Sequence, residues 1–182
     1  ARQPRAEERS DRMHCVLRPW RMEDADDLAA ILNDREILDN LQDGLPFPYT
    51  RKDAEAFITS LLGADPGSAY AFVVTAEGRV VGSISAVRRE NIHFRTAELG
   101  FYIARPFWGR GLASDAASQL CAHVFQRTDI LRIFAECFAE NAASCRVLEK
   151  AGFQLEGVLR SSAVKPGRVR DTKLYARVRA GE

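Results

Sequence analysis

Two neighbouring runs, Ala97-Glu98-Leu99-Gly100-Phe101-Tyr102-Ile103 and Trp108-Gly109-Arg110-Gly111-Leu112-Ala113, carry the densest information in the chain. The first alternates Leu99, Phe101 and Ile103 with Glu98, Gly100 and Tyr102, the period of a strand with two unlike faces. The second places two glycines just ahead of apolar positions 112, 113, 116, 117, 120, 121, 124 and 125, a wide helical stripe that must be buried against a sheet. A strand therefore passes into a long helix through a glycine-rich turn, and the free N–H groups at the helix start face whatever fills its mouth. The glycines allow close approach of an anion, and Arg110 adds a charge at the rim. A Gly-x-Gly turn that binds nothing is the plainer alternative. A Walker loop is excluded because no Gly-Lys-Ser/Thr occurs, and the dinucleotide fingerprint wants a third glycine where Ser114 stands.

Upstream, residues 70–75, 79–88 and 96–104 read as three consecutive antiparallel strands, separated by Glu77-Gly78 and a polar stretch. Before them, residues 14–18 form a short strand stopped by Pro19. A helix then begins among Glu23, Asp24, Asp26 and Asp27, and a second carries Ala54, Phe57, Ile58, Leu61 and Leu62 behind a Thr50/Asp53 capping box. Downstream, the long helix is followed by a strand over residues 131–138. Next come a helix capped by Asn141 and ended by Gly152, then two strands about the Pro166-Gly167 turn. The implied fold is α/β (α+β mixed), a central mixed, mostly antiparallel sheet of six to seven strands with helices on both faces. The segment 96–138 forms a right-handed parallel crossover.

With 182 residues and 46% hydrophobic content, the chain reads as one domain over residues 13–182 behind a charged, flexible tail at 1–12. Twenty-six basic against 25 acidic residues leave a net charge of +1, so no overall field favours nucleic acid or an anionic membrane. Cys15, Cys121, Cys137 and Cys145 show no metal-ligand spacing and read as reduced core thiols, and no metal is expected. With no apolar leader or membrane-spanning run, a cytoplasmic location is expected. His14, His93 and His123 are scattered and receive no role. Lys165, Arg168 and Arg170 read as a solvated hairpin.

The two opening runs, together with Asn141-Ala142-Ala143-Ser144 and Glu149-Lys150-Ala151-Gly152-Phe153, resemble the GNAT superfamily of N-acetyltransferases in order and spacing. The resemblance extends from His14 onward and is nearest to the branch of ribosomal-protein alanine/serine N-acetyltransferases, in which an aromatic like Trp108 is typical. It implies acetyl-CoA as co-substrate and an amine acceptor. The pantetheine arm would lie along Phe101, Tyr102 and Ile103, and the pyrophosphate over Trp108, Gly109, Arg110, Gly111, Leu112, Ala113 and Ser114. Asn141 and Ser144 would stand near the sulfur, and amides near Tyr102 and Ile103 would hold the carbonyl oxygen. Many relatives carry a tyrosine acid where Leu148 stands here, which leaves Ser144 as a substitute. Cys145 is read as structural, because direct transfer needs no acyl-enzyme.

Glu98 is the candidate base. A carboxylate beside the acetyl position could take the amine proton directly or through water, the alternative being an exposed strand carboxylate without a role. A thiol leaves readily at neutral pH, so amine deprotonation and oxyanion stabilisation are expected to dominate. A protein N-terminal α-amine is the favoured acceptor. Two alternatives stay open: a small-molecule amine (a polyamine, amino acid or antibiotic), and a catalytically silent acyl-CoA-binding module. The chain is expected to be a monomer or homodimer.

Overall fold

The computed structural model describes residues 13–165 and 167–181; the expected tail at 1–12 and Pro166 of the last turn lie outside the described residues. The chain runs β1 (Val16–Arg18), α1 (Ala25–Leu32), α2 (Arg35–Leu38), α3 (Arg51–Leu62), β2 (Ala69–Ala76), β3 (Arg79–Arg88), β4 (Thr96–Ile103), α4 (Leu112–Arg127), β5 (Arg132–Phe138), α5 (Ala142–Lys150), β6 (Gln154–Val164) and β7 (Val169–Val178). The strands form one seven-stranded sheet of order β1-β2-β3-β4-β5-β7-β6, antiparallel except where β4 meets β5. The mixed sheet with helices on both faces thus stands as the sequence implies. The four-residue α2 is an addition, too short to show a helical period.

Two apolar clusters flank the sheet. Leu112, Ala116, Leu120 and Val124 of α4 pack with Leu148 of α5 against Ile84, Leu99, Ile103 and Ile133. On the other face, Leu28, Ile31 and Leu32 of α1 pack with Ile58 of α3 against Val73. The α3 start is fixed as its sequence dictates. The Thr50 side chain accepts from Asp53 N–H at 3.2 Å, and Asp53 accepts from Thr50 N–H at 2.8 Å.

What positions α1 relative to β1 is an ion pair. Arg18 donates from both terminal nitrogens to Asp24, at 2.7 and 2.8 Å, and Arg21 N–H adds a third bond at 2.9 Å. Arg18 holds the Asp24 carboxyl below the usual carboxylate range. A depressed carboxyl stabilises the fold fully above its unfolded value, near about pH 4, and loses that contribution as pH falls through the folded value. Asp24→Asn should therefore cost about 2 kcal/mol at pH 7, the scale of breaking a largely buried charged hydrogen-bond pair. Denaturant titrations of both proteins should show that gap narrowing below about pH 4.

Candidate functional site

β4 and β5 pair for only three residues, Thr96↔Arg132, Ala97↔Ile133 and Glu98↔Phe134. Beyond Glu98, β4 continues against β3 as far as Gly82↔Ile103, while β5 continues against β7 as far as Phe138↔Thr172. The two strands therefore part and leave a wedge. Ala104 N–H bonds Val81 O on β3 at 2.7 Å, and Ile103 O accepts instead from the Trp108 indole at 2.6 Å. Main-chain groups alternate sides along a strand, so residues 99, 101 and 103 present theirs to the wedge. The main chain of Tyr102 faces β3. Its N–H is thus not available to a carbonyl in the wedge, contrary to the expectation from sequence; Tyr102 borders the space through its side chain.

At the open end of the wedge stands the start of α4. Gly111, at φ 80°, is its N-cap, so no side chain occupies the first amides. Gly109 has φ 76°, and no atom lies within 4 Å of where its Cβ would be. Both positive angles favour glycine, and the unobstructed amides suit a phosphate. Ser114 is buried, and its hydroxyl turns back to Gly111 O at 3.0 Å.

The wedge and this turn border one cleft of about 410 Å³. Phe101, Tyr102, Ile103, every residue from Trp108 to Ser114, Asn141 and Ser144 all line it. Asn141 caps α5 by accepting from Ser144 N–H at 3.1 Å, and its amide nitrogen donates to Asn40 Oδ1 at 3.1 Å. Leu148 is buried at the foot of α5, and no tyrosine occupies that position. Burial raises the Tyr102 phenol well above its usual range, so it stays protonated at neutral pH.

Glu98 does not line the cleft. It is the last β4 residue paired with β5, at the apex of the wedge, and lies on the Tyr102 face. Its carboxylate accepts from Arg89 Nη1 at 3.2 Å and from Gln42 Nε2 at 3.4 Å. Gln42 follows Leu41, and Leu41 does line the cleft.

Sequence reasoning missed the wall opposite α4. Glu36, Ile37, Asn40 and Leu41 of α2 and its exit form it. That wall is pinned from the far end of the chain. Lys165 Nζ donates to Leu38 O at 2.7 Å and Leu41 O at 2.5 Å, and Arg170 donates to Asp39 O at 3.2 Å while its guanidinium sits 3.4 Å over the Phe138 ring. The solvated reading of this hairpin is corrected for Lys165 and Arg170, whose side chains are only 14% and 9% exposed. Carbonyls at the end of α2 carry the negative end of the helix dipole and draw in the ammonium, although Leu38 O also accepts from Leu41 N–H at 3.1 Å. Arg168 does remain on the surface, paired with Glu140. Arg146, Val147 and Lys150 of α5, also missed, line the cleft beside α4.

Among the described residues no helix is long and apolar enough to cross a membrane, and no cluster of His, Cys, Asp or Glu could hold a metal ion.

A strand wedge that opens onto the uncapped start of a helix defines an acyl-CoA-dependent N-acyltransferase. The chain belongs to the GNAT acetyltransferase family: the model of the acetyltransferase (GNAT) domain matches residues 14–154. It is 28% identical over 167 residues to the uncharacterized N-acetyltransferase p20 of Bacillus licheniformis, covering 88% of this chain and 90% of that one. It is 32% identical over 112 residues to the ribosomal-protein-serine acetyltransferase of Escherichia coli, covering 62% of each. The structure of Mycobacterium smegmatis RimJ in complex with CoA-disulfide superposes with a TM-score of 0.81 at 28% identity, covering 90% of this chain and 81% of that one. Acetyl-CoA is thus the co-substrate.

Ala113, in the first turn of α4, lines the cleft and permits a test of the phosphate position without a positive φ. A carboxylate there suits the helix dipole but repels a pyrophosphate. Ala113→Glu should keep its melting temperature while CoA affinity by calorimetry falls about ten-fold or more, the scale of one close like-charge contact.

Proposed function

We propose that the protein transfers acetyl to the α-amino group of a peptide or protein N-terminus, with Glu98 as general base. The observation that carries this reading is the place of Glu98 at the wedge apex, on the side of the α2 wall and across the sheet from α4 and α5. An amine approaching from that side meets a carboxylate, and a thioester lying in the wedge meets the amides of residues 99, 101 and 103. Arg89 is about half exposed, so its ion pair with Glu98 is a weak surface contact that an incoming ammonium displaces. Bound acetyl-CoA supplies the activated carbonyl and a thiolate leaving group. Glu98 removes the proton that the amine must lose, directly or through one water. Main-chain N–H groups of β4 stabilise the developing oxyanion, and the Ser144 hydroxyl stands on the cleft wall to protonate the departing sulfur.

The preference for an α-amine rests on acid–base arithmetic and on the likeness to ribosomal-protein acetyltransferases. An α-amine with a pKa near about 8 is roughly a tenth neutral at pH 7, whereas lysine near about 10.4 is far below about 1% neutral. A site with one carboxylate and no tyrosine at position 148 suits the easier amine. Residence in the reducing cytoplasm belongs to the same proposal, supported by four free thiols, two of them only 3.3 Å apart.

Thiol release should be followed with acetyl-CoA and a matched panel of a peptide N-terminus, a lysine analogue and a polyamine. The peptide is expected to react fastest at pH 7. A faster polyamine would make the enzyme a small-molecule acetyltransferase, and CoA binding with no release on any acceptor would make it a silent binding module. Glu98→Gln should lower kcat about 10²-fold or more with CoA affinity retained, and should remove the enzyme's limb from the pH–rate profile. Ser144→Ala should cost less, because a thiolate departs without an acid. The reverse order would exchange the two roles.

A further inference from the structure

Beyond the apex of the wedge, on the side away from α4, one stretch of β5 is left open. Ile133 and Ala135 are buried in the cluster with α4, so the alternating Phe134, Glu136 and Phe138 project to the opposite side, the side of Glu98 and of the α2 wall. The exit of α2 runs alongside this stretch: Gln42 reaches Glu98 beside Phe134, and Asp39 O accepts from Arg170, whose guanidinium lies over Phe138. Glu136, between the two rings, stays exposed. Neighbouring carboxylates are matched to cations, Glu98 to Arg89, Glu140 to Arg168 and Arg170, Glu156 to Arg132 and Asp43 to Lys165. Among the described residues no ion pair reaches Glu136, and its carboxylate accepts only from the Thr172 hydroxyl, at 3.4 Å. An exposed carboxylate without a cation is ordinary by itself. This one shares a face and a neighbouring strand with the proposed base.

Spacing decides what the carboxylate can hold. Glu98 pairs with Phe134, and Glu136 lies two residues further along β5, so the two carboxylates stand about 7 Å apart along the strand and about 5 Å across it. An α-amine at Glu98 is about 5 Å from the Cα of the second residue of its own chain, one N–Cα bond and one peptide step away. A long side chain on that residue spans the remainder, and a Lys or Arg there brings its charge to Glu136. Resting on the reading of Glu98 as base toward a peptide N-terminus, we propose that Glu136 is a specificity residue that selects acceptors with a basic side chain immediately after the acetylated residue. Both flanking rings already carry a guanidinium, Arg89 at 5.8 Å from the Phe134 centroid and Arg170 at 3.4 Å from that of Phe138, so the face accommodates the apolar stem and charged head of such a side chain. Each of these guanidinium groups is engaged elsewhere, Arg89 with Glu98 and Arg170 with Glu140 and Asp39 O, which leaves Glu136 to the acceptor.

Peptides identical except for Lys, Gln or Glu at the second position provide the test, with kcat/KM read from thiol release. The wild-type protein should prefer Lys over Gln by about five-fold, the upper scale of a surface ion pair, and Gln over Glu, with the contrast residing in KM. That contrast should shrink in about 1 M salt, where charges are screened beyond about 3 Å. Glu136→Gln should lose the preference while keeping its kcat on the Gln peptide, its CoA affinity and its melting temperature, and Glu136→Lys should invert the preference toward Glu. Equal rates on the three peptides in the wild-type protein, or a preference for Lys that persists in Glu136→Gln, would overturn the proposal. A polyamine serves as the separate control. If no peptide reacts while the polyamine does, the N-terminal reading fails on its own account; a polyamine KM unmoved by Glu136→Gln would then overturn the role of Glu136 as well, and one raised about five-fold would uphold its hold on a second cation.

Discussion

Everything in the site depends on where the β4–β5 ladder stops. Three parallel pairs hold the two halves of the sheet together, and after Glu98↔Phe134 each strand keeps only its outer partner. Leaving inner main-chain groups unpaired is costly unless something else bonds them, and one is already taken by the Trp108 indole at Ile103 O. The others form a row of donors and acceptors at a sheet edge that faces inward, where an extended ligand can pair as a missing strand would. The same divergence opens the start of α4 to that space, because α4 is the crossover between the two parted strands. A free strand edge and an uncapped helix start thus follow from a single interruption.

Much of this architecture was legible locally. The alternation in residues 97–103 and 79–88, the Thr50/Asp53 box and the stripe of α4 are all encoded within a few residues of where they act. So was the glycine turn, since positive φ at 109 and 111 is a local demand. The interruption was implied only by the family resemblance, which lays the pantetheine arm along residues 101–103; no local pattern encodes it, because β5 pairs with β7 for its whole length and so leaves β4. Nor was the α2 wall locally legible. Its placement comes from Lys165, which reaches carbonyls 127 and 124 residues away, and from Asn141, which reaches Asn40 across 101 residues. A four-residue helix has no period to read, and a lysine near a hairpin looks the same in sequence whether it meets water or a helix end.

Charge is distributed along the cleft in a way that separates its two tasks. Glu36 on the α2 wall is held by Arg105, and Glu98 at the apex is held by Arg89, so carboxylates gather where an ammonium acceptor would arrive. Arg110, Arg146 and Lys150 gather at the α4–α5 end, where phosphate would lie. With a formal net charge of +1, the molecule as a whole steers neither ligand; the separation acts locally, within a screening length of about 8 Å. An anionic co-substrate is thereby drawn to the α4–α5 end of the cavity.

The cysteines bear on whether acetyl passes through an enzyme thiol first. A covalent relay needs a thiolate that reaches the thioester carbonyl, since the thiol itself is a poor nucleophile. Cys145 is buried beneath α5 with Cys137 Sγ 3.3 Å away, and neither lines the cleft. Burial, reinforced by Cys145, pushes the Cys137 thiol up to about 12, and burial with the Asp115 carboxylate does the same to Cys15. Such thiols stay protonated at neutral pH, the opposite of the electropositive, partly exposed setting that activates a catalytic cysteine. Direct attack of the amine on the thioester asks only for a proton acceptor on the acceptor's side and oriented amides on the other. In the proposed direct transfer the sheet main chain takes the place of a nucleophilic side chain, and none of these thiols is needed.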